Sequence, residues 1–146
     1  MKSPQLRAEV MILNEDRSKV IVQCDLSETF YRFPGGSIEF GETAKEAIIR
    51  ELMEEYDLKI DVQGLALVNE HIFEWNNEKG HHCTLIHWGT VQETITNEIR
   101  HKEYEDIKLT WKSINELMEK PTYPKGILSY LEEDNRNIVH FISKNI

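Results

Sequence analysis

Apolar and polar positions alternate along this chain in two rhythms, and the switch between them marks its elements. Strand-length runs rich in β-branched and aromatic residues occupy Leu6–Leu13, Lys19–Cys24, Phe30–Phe33, Ile60–Trp75, Cys83–Val91 and Ile107–Trp111. The polar segment Asn14-Glu-Asp-Arg-Ser18 separates the first two and predicts a hairpin with a longer loop, and Asn76–Gly80 predicts a turn. Between Thr43 and Tyr56 the rhythm changes: Ala44, Ile48, Leu52 and Tyr56 recur every fourth residue, the apolar stripe of a helix. Thr43 with Glu46 three residues on forms a capping box at its start. Shorter helices are expected over Ser113–Glu119 and over Pro124–Glu133, where the proline suits a first turn. The polar stretch Glu93–Glu105 predicts a loop. Strands with helices between them predict an α/β fold, a mixed sheet between helical layers, in one domain over residues 1–146.

The carboxylates beside that apolar stripe change the picture. Glu51, Glu54 and Glu55 stand at i, i+3 and i+4, so they share one helix face. Three carboxylates crowded together repel unless a cation sits among them, and hard oxygen ligands favour magnesium, with manganese as a substitute. Before the helix, Phe33-Pro34-Gly35-Gly36 is a rigid turn followed by two permissive residues, which lets backbone approach a ligand closely. Taken alone, an acidic helix face is ordinarily a solvated face. Here it follows a strand and a glycine loop at fixed spacing.

That spacing resembles the Nudix box: Gly, five residues, Glu, seven residues, Arg-Glu, an apolar residue, any residue, Glu-Glu, any residue, Gly, an apolar residue. Of its nine specified positions the chain matches eight, at Gly36, Glu42, Arg50, Glu51, Leu52, Glu54, Glu55 and Leu58, and places Asp57 where the family has its last glycine. Aspartate tolerates the left-handed conformation better than most residues, so a small stability cost and intact chemistry are expected. The resemblance implies an α/β/α sandwich and a metal-dependent pyrophosphohydrolase acting on a nucleoside diphosphate linked to another moiety. It implies metal ligation by Glu51, Glu54 and Glu55, helped by a carbonyl of Gly35 or Gly36. Glu54, Glu51 and Arg50 are thereby the catalytic candidates, with Arg50 orienting or balancing the carboxylates, or serving only as a helix-face partner of Glu46 or Glu54. Glu42 is expected to brace the loop before the helix. The family often draws a further acid from beyond the box, which makes Glu98 and Glu103 candidates for a general base; each is otherwise a solvated loop charge.

Composition narrows the partners. A net charge of −9, from 17 basic against 26 acidic residues, argues against a nucleic-acid duplex or an anionic membrane and is compatible with a small nucleotide bound through metal. The amino terminus lacks the apolar core of a signal peptide, and Cys24 and Cys83 form neither a disulfide framework nor a zinc pattern, so a cytoplasmic protein is expected. A homodimer is one assembly open to it. Trp75, Phe73 and Trp88 are candidates for stacking on a base, Trp75 the best placed beside its turn and Phe73 and Trp88 more suited to the core. His81 and His82 flank the second long strand as turn histidines, metal ligands or proton shuttles.

Subgroup marks are not evident: Phe73 stands where enzymes similar to ADP-ribose pyrophosphatases tend to carry proline. A nucleoside triphosphate or a nucleotide sugar such as ADP-ribose is the expected substrate. The alternatives are a catalytically silent nucleotide-binding or regulatory domain, which would be expected to lose one of the three glutamates, and a prenyl-diphosphate isomerase, which would need a catalytic thiol that neither cysteine is placed to provide.

Overall fold

The computed structural model describes residues 2–131 and 137–145. In chain order the strands and helices are β1 (Gln5–Ile12), β2 (Lys19–Asp25), β3 (Tyr31–Arg32), β4 (Gly35–Ser37), α1 (Ala44–Tyr56), β5 (Ile60–Trp75), β6 (Glu78–Val91), β7 (Ile99–Arg100), β8 (Ile107–Ser113), α2 (Ile114–Met118), β9 (Thr122–Tyr123), α3 (Leu128–Leu131) and β10 (Val139–Asn145). They build two mixed five-stranded sheets, ordered β10-β5-β6-β1-β4 and β7-β8-β2-β3-β9. One apolar cluster seats α1, through Ala47, Ile48, Leu52 and Tyr56, against Ala8, Val10, Ile12, Ile21, Ile60, Val62 and Leu109. A second joins Met11, Val22, Phe33, Leu67 and Ile86 to Leu117 of α2 and Leu131 of α3. The sheets thus lie between α1 on one side and the two short helices on the other, which is the α/β/α sandwich expected. No helix among the described residues is long and apolar enough to cross a membrane.

β1 is buried on both faces, because Val10 and Ile12 point to α1 while Met11 points to the second cluster. That double burial explains one departure from expectation. β1 and β2 do not form a hairpin ladder: β1 pairs with β6 in parallel and with β4 antiparallel, β2 pairs with β3 and β8, and an isolated bridge at Leu13↔Val20 joins them. The loop between them is closed by Asn14, whose Oδ1 accepts from the Lys19 amide at 2.9 Å.

The carboxyl-terminal third differs most. The helix expected from Pro124 begins only at Leu128, since Gly126 holds a φ of +93° that no helix contains; its expected end at residues 132–133 lies outside the described residues. β10, which sequence periodicity did not pick out, runs parallel to β5 with Val139 opposite Leu67. The short strands β4 and β7 also fall within segments expected to be loop.

Candidate active site

The loop before α1 is built by close approach. β4 pairs with β1 so that Ala8 faces Gly36 and Glu9 faces Gly35. A Cβ on Gly35 would lie 2.0 Å from the Ala8 carbonyl oxygen, and one on Gly36 would lie 2.6 Å from the Glu51 carboxyl carbon. The first glycine therefore admits the strand, and the second leaves the space that the Glu51 carboxylate fills. Opposite them, α1 starts at the capping box of Thr43 and Glu46 and stops at Asp57, which holds the left-handed conformation at φ +54° and donates its amide to the Met53 carbonyl, while the Leu58 amide reaches the Leu52 carbonyl. With the apolar stripe buried, Arg50, Glu51, Glu54 and Glu55 are left on the faces turned to the glycine loop and to solvent.

Arg50 is the hub. Its Nε donates to Glu42 Oε2 at 2.7 Å and its Nη2 to Glu42 Oε1 at 2.9 Å, a bidentate fork, and Nη2 also reaches the Ser37 carbonyl at 3.1 Å. Nη1 donates to Glu51 Oε1 at 2.9 Å and to Glu54 Oε2 at 3.3 Å. Glu42 in turn accepts from the Glu39 amide, so it ties loop to helix as expected. The Arg50 hydrogen bonds hold the Glu42 carboxyl down to about 2.

Glu55 behaves in the opposite way. Burial, then a hydrogen bond with Glu51 and the charges of Glu51 and Glu54, push its carboxyl up to about 8. Glu55 therefore holds a proton that a cation beside it could replace. His101, from the loop after β6, closes the far side. Its Nδ1 accepts from the amides of Glu103 (3.0 Å) and Tyr104 (3.1 Å), which leaves the proton on Nε2, 3.3 Å from Glu55 Oε2. Burial lowers the imidazole pKa, favouring this neutral form.

The donor set suits a hard divalent ion. It offers the carboxylates of Glu51 and Glu55, the Gly35 and Gly36 backbone beside them, and Glu54 one turn away. The space beside Gly36, which a Cβ would close, and the raised carboxyl of Glu55 are the features that fit such an ion. Among the described residues no three acidic, histidine or cysteine side chains converge into a ready-made metal cluster, because Arg50 draws Glu54 and one oxygen of Glu51 towards itself.

The other expected residues lie elsewhere. Glu98 pairs with Lys108 at 2.6 Å, and Lys108 also holds Glu28, so the Glu98 carboxylate is committed to a lysine rather than to the acidic helix. Glu103 contributes its amide to His101. Phe73 is stacked on His71 and edge-on to His82, lying across Gly80. Trp75 is exposed near the tip of the β5–β6 hairpin, and Trp88 lies under the guanidinium of Arg17. His82 is lowered to about 4, first by burial. Sequence reasoning missed His101, which no local signal marked. It also missed Arg7 and Glu9, although a carboxylate inside the run Ala8-Glu-Val-Met-Ile12 was a visible anomaly. The charges of Glu9, Arg32, Glu51 and Glu55 all act on Arg7, which places this pair beside the acidic helix.

Comparison with known proteins agrees with this geometry. A NUDIX domain model matches residues 4–132. The fold is similar to that of a MutT Nudix hydrolase from Burkholderia pseudomallei, with a TM-score of 0.68 at 20% identity over 92% of this chain and 100% of that one. A UDP-X diphosphatase gives 0.67 at 18% identity over 97% of this chain and 68% of that one. An ADP-ribose pyrophosphatase from Streptococcus suis 89-1591 gives 0.66 at 14% identity over 95% and 100%. The Gly36-to-Leu58 box, the sandwich that presents it and the match over most of the chain lead to one conclusion: this protein belongs to the Nudix family.

Proposed function

We propose that the chain is a divalent-metal-dependent pyrophosphohydrolase whose substrate is a nucleoside diphosphate linked to another group. The observation that carries this reading is Glu51, packed against Gly36 and hydrogen-bonded to Glu55, whose carboxyl lies beyond the reach of Arg50 and is pushed up to about 8. Glu51, Glu54 and Glu55, with a carbonyl of Gly35 or Gly36, would hold magnesium, or manganese in its place. Such an ion, when bound, supplies water activation and neutralisation of charge on the phosphates. Arg50 fixes the carboxylates on either side of it, and His101 holds Glu55 by donating from Nε2. Arg7 and Arg32 offer cations for phosphate oxygens. We assign Glu98 to the lysine network of β8 rather than to catalysis, and neither aromatic candidate to the base: Phe73 is occupied by histidines, and Trp75, though exposed, stands opposite Glu78 at the hairpin tip, far along β6 from the glycine loop.

A nucleoside triphosphate or a nucleotide sugar such as ADP-ribose is the substrate class we favour. The similar folds of an ADP-ribose pyrophosphatase, a UDP-X diphosphatase and a MutT hydrolase span that range. We read the chain as one domain, and its free thiols Cys24 and Cys83 suit a reducing cytoplasm. The test is phosphate or monophosphate release from a panel of nucleoside triphosphates and nucleotide sugars, with and without magnesium, alongside Glu54→Gln. Metal-dependent turnover of one class, lost in the variant, is expected. Turnover that ignores both magnesium and Glu54 would sink the reading.

A further inference from the structure

β1 carries a charged pair into the interior with no fold-level reason for it. Arg7 and Glu9 are two residues apart on a strand and so point to the same face, opposite Ala8, Val10 and Ile12, which pack on α1. Glu9 is 7% exposed. One oxygen, Oε2, lies 3.9 Å from Arg7 Nη2, at the outer limit of an ion pair. The other, Oε1, is buried and is the side-chain atom without a hydrogen-bond partner among the described residues. An aliphatic side chain would fill this place without leaving an acceptor bare, so a purely structural role explains neither the charge nor the orphan oxygen.

Position says what the oxygen is for. Glu9 is in register with Gly35 and Arg7 with Ser37, so the pair runs alongside the glycine loop that receives Glu51. On the other flank Arg7 is in register with Thr84, and His82 lies two residues before Thr84, on the same face. Arg7 feels the charges of Glu51 and Glu55, whereas Glu9, one step further along the strand, feels Arg7 and Arg32. A nucleotide whose phosphates lie at the acidic helix and the arginines would therefore extend its remaining part along β1 past Glu9. Rotation about the last torsion of a glutamate is soft, so a small turn of the carboxylate presents the bare oxygen to that part.

We propose that Glu9 is a specificity-determining residue of this site, accepting a hydrogen bond from an N–H of the base or an O–H of the sugar in the non-phosphate part of the substrate. The proposal rests on the pyrophosphohydrolase reading for the position of the phosphates, and it accounts for a buried acceptor kept ready for a donor. Sites of this kind reject ligands that lack the donor, because the acceptor then stays bare.

The test is metal-free titration calorimetry of nucleoside monophosphates with the wild-type chain, Glu9→Met, Glu9→Gln and Glu54→Gln. The ligands are GMP and IMP, which differ by the 2-amino group, AMP and purine riboside 5′-monophosphate, which differ by the 6-amino group, and the 2′-deoxy counterparts, so that each pair removes one donor. Deleting one of these donors is expected to weaken wild-type binding by about tenfold or more. It should cost Glu9→Met, which has no acceptor oxygen, nothing further, while Glu9→Gln, which keeps an amide oxygen, should retain the preference. A base deletion with this effect identifies N–H recognition, and the 2′-deoxy change identifies the sugar. Glu54→Gln should keep the wild-type preference, so loss of hydrolysis and loss of recognition are read separately. Glu9→Met, which removes the bare acceptor at similar volume, should fold at least as stably and lose the same preference. Equal weakening of every ligand by Glu9→Met, or wild-type binding that ignores every donor, overturns the proposal.

Discussion

Two regions of this molecule concentrate acidic side chains, and they solve the problem of repulsion differently. Around β8, Glu28, Glu98 and Glu116 are interleaved with Lys108 and Lys112: Glu28 is 2.8 Å from Lys108 and 2.5 Å from Lys112, Glu98 is 2.6 Å from Lys108, and Glu116 is 3.6 Å from Lys112. There the lysine hydrogen bonds hold Glu28 down to about 2 and lower Glu98 as well. Around α1, Glu39, Glu42, Glu51 and Glu54 all converge on one cation, Arg50. Glu55, beyond its reach, is pushed up to about 8. The first cluster is electrically closed and serves the fold. The second is short of positive charge at the spot where glycine loop and helix meet, and that deficit, rather than the number of acids, marks it as the site for a cation.

The largest effect should come from removing charge at the deficit. Glu55→Gln is expected to lower turnover by about a hundredfold or more with the fold unchanged, while Glu98→Gln should stay within about threefold of wild type, as expected of a residue in the closed cluster. Steady-state kinetics on the substrate found by the panel decides this, and a larger loss from Glu98→Gln would reverse the assignment of the two regions. The complementary change is Lys108→Met. It leaves the partly exposed Glu28 and the exposed Glu98 without this lysine and should lower the urea midpoint measurably, with the folded enzyme still active. A variant as stable as wild type would show that the β8 network is not held by charge.

The same contrast predicts opposite pH dependences. Glu9 and Glu55 have folded pKa values raised from 4.5 to about 7 and about 8. Their contribution to stability is present below about 4.5 and lost as pH rises through 7 and 8. Glu28 and Glu42 are lowered to about 2, so their contribution is present above 4.5 and lost as pH falls through 2. The metal-free protein should therefore lose melting temperature between pH 5 and about pH 8, and saturating magnesium should remove the part due to Glu55. Thermal melts across that range, with Glu55→Gln for comparison, check it; a slope unchanged in Glu55→Gln would place the titration elsewhere.

What could be read from the sequence follows how local each determinant is. The α1 boundaries, its capping box and the left-handed Asp57 were legible because they depend on residues within one or two turns. The long β5 was legible as a run from Ile60 to Trp75. The pairing of β1 was not, since its partners lie about thirty and eighty residues away at Gly35–Ser37 and His82–Gly89. For the same reason the spacing of the box indicated Glu51, Glu54, Glu55 and Arg50, while His101, brought in by loop topology, was invisible and Glu9 showed only as a carboxylate within an apolar run. Glu98 illustrates the converse. Its place in a polar loop gave no hint of Lys108, and the β7–β8 ladder, with Ile99 opposite Leu109 and Arg100 opposite Lys108, brings that lysine near.

The smallest effect concerns the one departure from the box. Asp57 adds another acid to the region already short of cations, and it sits in a left-handed conformation with its carboxylate 2.9 Å from Lys102. That ion pair is exposed and contributes little. Asp57→Gly relieves the backbone and removes the charge, whereas Asp57→Asn removes the charge and keeps a side chain that also tolerates the conformation. Relief of the left-handed strain is partly offset by the freer unfolded chain, so Asp57→Gly should gain no more than about 1 kcal/mol, and Asp57→Asn less. Equal gains from both, read by urea unfolding at low and high salt, would instead trace the effect to charge. The acid-rich end of α1 would then be straining the fold as well as waiting for its cation.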